Sequence, residues 1–322
     1  MILKNRTKPI VLEKLDAAIG RLPANFPALS DMQSEAATRY KGYIGEQKVD
    51  YHLEQFAREY TMFQGICLQV DGKTVQFDTV LITKQAIYLI EIKNFSDKIT
   101  FDTILHQFTR SDGQKETGFR DPLIQAENQK NKLQQWLRAH HLINIPIYYF
   151  IAISDPSTII DVIGDQEAVS KVVAHGEHIP RKIIQKEEVL RKKAPGSFNH
   201  SKIGQAILGA CKAHDFDILS RYGVKKRHLL TGVHCPACGK LGMERLYGTW
   251  QCKACSKRAK LAHLRAFSDY FLLISPWINN KECMRYLRIQ SRNVATRLMK
   301  TSNMKYQKEY KRWIKADRRR AL

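Results

Sequence analysis

No apolar run in the chain is long enough to cross a bilayer; the longest, such as Ile147 to Ile153, fall far short of the roughly 20 residues a spanning helix needs. Met1 to Leu15 has basic residues but no apolar stretch of the kind a secretory signal carries. These two absences predict a soluble, cytoplasmic protein with no membrane partner. Cysteine is sparse, seven in 322 residues, and its odd count with four residues in CxxC spacing excludes a disulfide framework and predicts a reducing compartment. Acidic residues nearly vanish from the last third: residues 221 to 322 hold 25 Lys and Arg against 5 Asp and Glu, while residues 1 to 220 hold 28 against 26. Almost all of the net charge of +22 therefore lies in one segment. A solvated basic face explains a single Lys/Arg run, but an excess on this scale predicts a polyanionic partner, bound through phosphate contacts and counterion release. The chain has no RNP-like aromatic signature, which ranks RNA below DNA. Its length suits two or three domains, each able to bury a core.

Gln76 to Asn94, QFDTVLITKQAIYLIEIKN, is the stretch with most chemistry in it. Val80 to Thr83 and Ala86 to Ile92 flank Lys84-Gln85 and read as a β-hairpin rich in β-branched and aromatic residues. On the second strand Glu91 and Lys93 share a face with Leu89, whereas Ile90 and Ile92 point the other way. A two- or four-residue loop centred between Lys84 and Gln85 pairs positions whose numbers sum to 169, which sets Asp78 across from Glu91, with Cβ atoms roughly 5 Å apart. Two carboxylates that close repel and raise one pKa, so they call for a cation between them, and oxygen ligands suit Mg²⁺ or Mn²⁺.

Asp78, twelve intervening residues, then Glu91-Ile92-Lys93 resembles the D…(D/E)xK signature of the PD-(D/E)xK nuclease superfamily. Gly42-Tyr43-Ile44-Gly45-Glu46, Gln76-Phe77-Asp78, and Asp121-Pro122 with Gln125, Asn128 and Leu133 narrow the resemblance to the nuclease-related domain, NERD, over about residues 36 to 150. The family usually carries a glycine soon after the ExK strand, where this chain has Phe95-Ser96-Asp97-Lys98. The resemblance implies Asp78, Glu91, Glu46 and the Ile92 carbonyl as metal ligands and Lys93 as the residue that polarises water. On helix position alone Glu46 is an ordinary exposed carboxylate; the Gly42-x-x-Gly45-Glu46 match is what places it in the site.

Around this stretch, Val11 to Ile19 reads as a short helix in a 1–35 extension, and Glu35 to Phe56 as one long or two short helices. Phe63 to Val70 and Ile99 to Leu105 read as strands, Gly113 to Gly118 as a polar loop, and Asp121-Pro122 as the start of a helix over Leu123 to His140. Gln125, Asn128 and Gln129 interrupt its apolar face, and either contact the site or phosphate or, as such amides more commonly do, lie in solvent or pack between helices. Ile147 to Ser154 is a buried strand and Val169 to Ala174 a weaker one. The domain, an α/β mixed sheet flanked by helices, is expected to span 36–190, followed by a linker and bridging helix over 191–230 in which Ser201 to Leu219 is helical.

Cys235-Pro-Ala-Cys238, thirteen residues, then Cys252-Lys-Ala-Cys255 has the spacing of a zinc ribbon over 231–260, with Met243 to Trp250 as its hairpin. Four thiolates leave no open position, so this Zn²⁺ is expected to be structural; His234 and His263 flank it or stand in as ligands. In 261–322, Leu261 to Ile274, Lys281 to Leu287 after Asn280, and Arg292 to Lys300 after Ser291 read as three helices, the last two as a helix-turn-helix. Cys283, Met284, Leu287, Val294 and Leu298 form its expected core, with Arg292, Asn293, Thr296, Arg297 and Lys300 facing a major groove. A small helical bundle with a basic exterior fits the same pattern, since no turn glycine marks the motif. Met304 to Trp313 reads as a wing or a terminal helix. The leading expectation is a Mg²⁺- or Mn²⁺-dependent deoxyribonuclease; the alternative is a non-catalytic DNA-binding regulator or adaptor on a nuclease-like scaffold. A helix-turn-helix module also admits a homodimer.

Overall fold

The computed structural model describes residues 1–142, 144–193, 197–212 and 215–316. They form two compact units: Met1–Lys8 with Thr38–Asp215, and Pro9–Ala37 with Phe216–Leu322. The chain opens with strand β1 (Ile2–Lys4) in the first unit, passes to helix α1 (Ile10–Ile19) in the second, and returns along helix α2 (Leu29–Leu53). The N-terminal residues are thus divided between the units, where the sequence suggested a separate extension.

In the first unit, strands β2 (Thr61–Val70), β3 (Lys73–Ile82) and β4 (Ile87–Lys93) form an antiparallel meander. The β3–β4 register pairs Thr79 with Ile90 and Ile82 with Ile87, the sum expected from the sequence. Lys84 and Gln85 form its loop, held by the Thr83 hydroxyl, which accepts from the Gln85 and Ala86 N–H groups at 3.2 and 3.0 Å. This Thr83 side chain makes a turn from a dipeptide that lacks turn residues.

A second sheet follows: β5 (Lys98–Asp102), β6 (Gln107–Ser111) and β7 (Glu116–Phe119), the last including residues expected to be loop. Asp97, at φ +69°, makes the bend before β5 in the left-handed conformation that favours glycine, which answers for the missing family glycine. Helix α3 (Pro122–Ala139) starts at Asp121, whose carboxylate accepts from Leu123 N–H at 2.7 Å, with Pro122 at the first helical position. Strand β8 (Ile147–Ile153) lies parallel to β4, β9 (Ile159–Ile163) joins the second sheet, and helix α4 (Gln166–Val172) leads into β10 (Val173–His175). Residues 169–172, expected as strand, are helical because Asp165 caps them by accepting from Ala168 N–H at 2.8 Å. The main sheet runs β1-β2-β3-β4-β8-β10, with β1, β8 and β10 entering by parallel pairings.

Helix α5 (Ile179–Lys193) covers the face carrying Tyr88, Ile90 and Ile92, while α3 and helix α6 (His200–Ala210) cover the face carrying Leu89. Much of the expected linker is therefore structured: α6 packs on β2, where a Cβ on Gly204 would lie 2.5 Å from Thr61 Cγ2. Residues 194–196 lie outside the described residues, as do 213–214, which fall inside the single helix expected from Ser201 to Leu219.

In the second unit α1 packs with helix α7 (Ile218–Arg221). The ribbon follows as β11 (Glu244–Arg245), β12 (Trp250–Gln251) and β13 (Arg258–Ala259), then helix α8 (His263–Leu273), strand β14 (Trp277–Ile278), helix α9 (Asn280–Leu287), helix α10 (Arg292–Lys300), and the hairpin β15 (Met304–Gln307) and β16 (Arg312–Lys315). Met304 to Trp313 is accordingly a wing-like hairpin and forms no terminal helix. β14 pairs with β16 to close a three-stranded sheet beside the helices, the order of a winged helix-turn-helix. Arg288, at φ +56°, makes the left-handed α9 C-cap that would normally be a glycine's.

Candidate functional site

Two clusters stand out, one in each unit. The first gathers where β3, β4, α2 and α3 meet. The β3–β4 ladder ends at Thr79 and Ile90, one pair short of the predicted Asp78–Glu91 pairing; beyond it the Asp78 side chain takes over, Oδ2 accepting from Ile92 N–H at 3.0 Å. Glu91, 3% exposed, accepts from Lys93 Nζ at 2.7 Å and Gln125 Nε2 at 2.5 Å on Oε1, and from Gln129 Nε2 at 2.7 Å on Oε2. Lys93 Nζ also donates to Gln125 Oε1 at 2.9 Å. Of the three amides that interrupt α3's apolar face, Gln125 and Gln129 thus reach Glu91.

Glu46 is brought in by Gly45. A Cβ there would lie 2.5 Å from Asn94 Cβ and 2.7 Å from Ser154 Oγ, so only glycine lets α2 approach the end of β4 this closely. One turn on, Asp50 lies on the same side of α2. Both carboxylates meet Arg6, just past β1: the guanidinium pairs with Glu46 Oε2 through Nη1 and with Asp50 Oδ2 through Nε at 2.5 Å. Nη2 donates to the Asp78 carbonyl at 2.7 Å and to Thr79 Oγ1 at 3.1 Å.

Desolvation, followed by the Glu91 and Glu46 charges, pushes the Asp78 carboxyl well above its ordinary range, against the pull of the Ile92 N–H and Lys93. Burial raises Glu46 as well, opposed by Arg6. Arg6 and Asp50 were not found from sequence: Asp50 was signalled only by its four-residue spacing from Glu46, and Arg6 by nothing local.

Metal ligation can be tested on the donors present. Asp78 and Glu91 offer carboxylate oxygens, each with lone pairs beyond the hydrogen bonds it accepts, and such hard donors fit Mg²⁺ or Mn²⁺. Among the described residues, however, the acidic side chains do not form a tight trio: the cysteines alone group three or more ligand atoms within 4.8 Å of one another.

Those cysteines are the second cluster. Cys235, Cys238, Cys252 and Cys255 converge, with the Cys235–Cys255 and Cys238–Cys252 Sγ pairs each 3.6 Å apart. Thiolates at about 2.3 Å from one tetrahedral Zn²⁺ would be separated by about 3.8 Å. Main-chain N–H groups of the knuckles, Cys238 foremost, bring the Cys235 thiol down to about 6, while, against the pull of the Lys257 N–H, hydrogen bonds with the neighbouring thiols push Cys255 up to about 12, so the four share protons that a metal would displace. His234 and His263 lie beside the site and outside the ligand set. His234 Nε2 contacts the Gly20 carbonyl at 2.8 Å, and His263 Nδ1 accepts from Trp250 Nε1 at 3.2 Å.

The ribbon and the helices share one core: Cys235, Met243, Trp250 and Cys252 pack with Phe267, Tyr286, Leu298 and Trp313. On α10, Arg292, Asn293, Arg297 and Lys300 are exposed, while Thr296 is half-buried and bonded to Asn280 Nδ2 at 2.5 Å. Of the expected helix-turn-helix core, Cys283, Leu287 and Leu298 are buried and Met284 and Val294 partly so. Asn279, rather than Asn280, caps α9, accepting from Glu282 N–H at 2.9 Å.

Comparison with known proteins gives one assignment. Residues 41–154, from within α2 through β8, match the family model described as nuclease-related domain, NERD, and this stretch is similar to that family. The match includes Glu46, Asp78, Glu91, Lys93, Gln125 and Gln129, and leaves Arg6 and the cysteine cluster outside. No curated protein and no solved structure matches the chain.

Proposed function

We propose that the protein is a metal-dependent nuclease that hydrolyses phosphodiester bonds in DNA and is held on its substrate by the basic C-terminal unit. The observation that carries this reading is the convergence of Asp78, Glu91 and Lys93 at the end of β4 inside the nuclease-related stretch. Asp78, Glu91 and the Ile92 carbonyl would hold the ion. When bound, Mg²⁺ or Mn²⁺ lowers the pKa of a water and stabilises charge on the phosphate. Gln125 and Gln129 fix Glu91 by donating to both of its oxygens. Lys93, tethered between Glu91 and Gln125, keeps its ammonium at the site edge, where it can orient a water and neutralise developing negative charge. In the second unit, zinc on the four thiolates would brace the core on which α10 sits, and Arg292, Asn293, Arg297 and Lys300 would meet the duplex, with Thr296 contributing through its bond to Asn280.

A second reading, a DNA-binding regulator or adaptor without catalysis, draws on Arg6: a guanidinium already neutralises part of the acidic cluster, as a purely structural ion pair would. Incubating the protein with supercoiled, linear and single-stranded DNA in Mg²⁺, Mn²⁺ or EDTA separates the two. Cleavage that needs the metal supports the nuclease, and the product ends distinguish endo from exo action. Salt-sensitive binding without cleavage on any substrate supports the regulator.

A further inference from the structure

Arg6 lies outside the nuclease-related match, yet its side chain reaches Glu46, Asp50, Asp78 and Thr79 at once. We infer that Arg6 is the resident cation of the Glu46–Asp50 half of the acidic cluster, so that one divalent ion, bound at Asp78 and Glu91, completes the site. The inference rests on the metal-dependent reading above and specifies how many ions that site takes.

Three observations support it. First, the planar guanidinium fork spans the Glu46 and Asp50 carboxylates of α2 and continues to the Asp78 carbonyl and Thr79 hydroxyl, a geometry in which an arginine bridges helix and strand. Its own N–H donates to Gln64 Oε1 at 3.0 Å and β1 pairs parallel with β2, so the residue is delivered by secondary structure. Second, among the described residues the linked network holds four carboxylates, Glu46, Asp50, Asp78 and Glu91, against two cations, Arg6 and Lys93. The formal remainder of two negative charges is balanced by one divalent ion; two such ions would leave a desolvated positive excess. Third, Glu46 is turned to Arg6 and forms no tight ligand trio with Asp78 and Glu91. Glu46 therefore anchors Arg6, in place of the ligand role its family resemblance implied.

The test counts Mn²⁺ bound per full-length chain by electron paramagnetic resonance, with the thiolate site kept loaded with zinc. The native protein is expected to bind one ion, Glu91→Gln none, and Arg6→Ala two, the added ion disappearing when Glu46→Gln is combined with it. A native count of two, or an Arg6→Ala count equal to the native count, overturns the inference. If the native chain binds none, the metal assignment at Asp78 and Glu91 fails. The one-ion count falls with it, and the placement of Arg6 as the cation of the Glu46–Asp50 half is decided separately, upheld by an ion that Arg6→Ala gains and Glu46→Gln removes and overturned if none is gained.

Should Arg6→Ala not fold, Glu46→Gln in the native background decides. It is expected to keep one ion with affinity reduced by no more than about 100-fold, the upper end for a group outside the ligand shell, and a larger loss or a count of zero overturns the inference.

Discussion

The two units handle charge in opposite ways. The first buries it: Glu91, Asp50 and Arg6 are almost wholly removed from solvent, and each is held by several partners. The second displays it, with Arg292, Arg297 and Lys300 exposed on α10 and the chain's positive excess concentrated after residue 220. Buried, competing charges perturb pKa values and create a place where a cation or a reacting group is stabilised. Exposed cations do neither, but supply a salt-dependent attraction to a polyanion. Under the proposed function the contrast divides chemistry and affinity between different parts of the chain, and that division can be broken by substitutions on either side.

The largest effect is expected in the first unit. Lys93→Ala or Glu91→Gln should lower metal-dependent cleavage by about 10²- to 10⁴-fold, the range for removing a group that stabilises a transition state, with duplex binding unchanged in a gel-shift assay. Next comes the thiolate cluster. Cys252→Ser should release zinc, measured with a chromogenic chelator, and weaken DNA binding, because Cys252 and Trp250 belong to the core that supports α10.

Arg21→Ala probes a place where the second unit, like the first, buries a charge pair. Arg21 is fully buried, pairs with Asp269 at 2.8 Å, donates to the Leu230 and Gly232 carbonyls, and stacks 4.7 Å over the Tyr286 ring. Leaving Asp269 buried without this partner should cost about 3–5 kcal/mol of that unit's stability in denaturant unfolding, without changing the ion count of the acidic site.

The smallest effect is a pH dependence. Burial, reinforced by Arg245, lowers His263 to about 4, so the unfolded chain binds this proton more tightly than the folded one. Its contribution is fully present above about pH 6.5 and is lost as pH falls toward 4, on the order of 3 kcal/mol at most. Thermal melts over that window should show a steeper loss in the native protein than in His263→Gln.

Much of this arrangement was legible because it depends on local spacing. The β3–β4 register followed from Lys84-Gln85 and strand alternation, and the two CxxC knuckles announced their own convergence. The α10 cap at Ser291, which accepts from Val294 N–H at 3.4 Å, followed from residue type. What escaped was long-range. Arg6 reaches Glu46 across 40 positions, and its three-residue strand is too short to carry a periodicity. Arg21 and Asp269 are separated by 248 positions, so no window joins them. The shared core of ribbon and helices was also hidden, because Trp250 and Tyr286 are each plausible cores of separate small domains until their packing is seen.

The most direct test of the account is a paired single-turnover measurement on one labelled duplex, reading bound fraction and cleaved fraction together for the native protein, Lys93→Ala and Arg297→Ala in Mg²⁺. The account predicts that Lys93→Ala binds normally and does not cut, while Arg297→Ala binds more weakly yet cuts at the native rate once saturated. Equal cleavage by the native and Lys93→Ala proteins would contradict it.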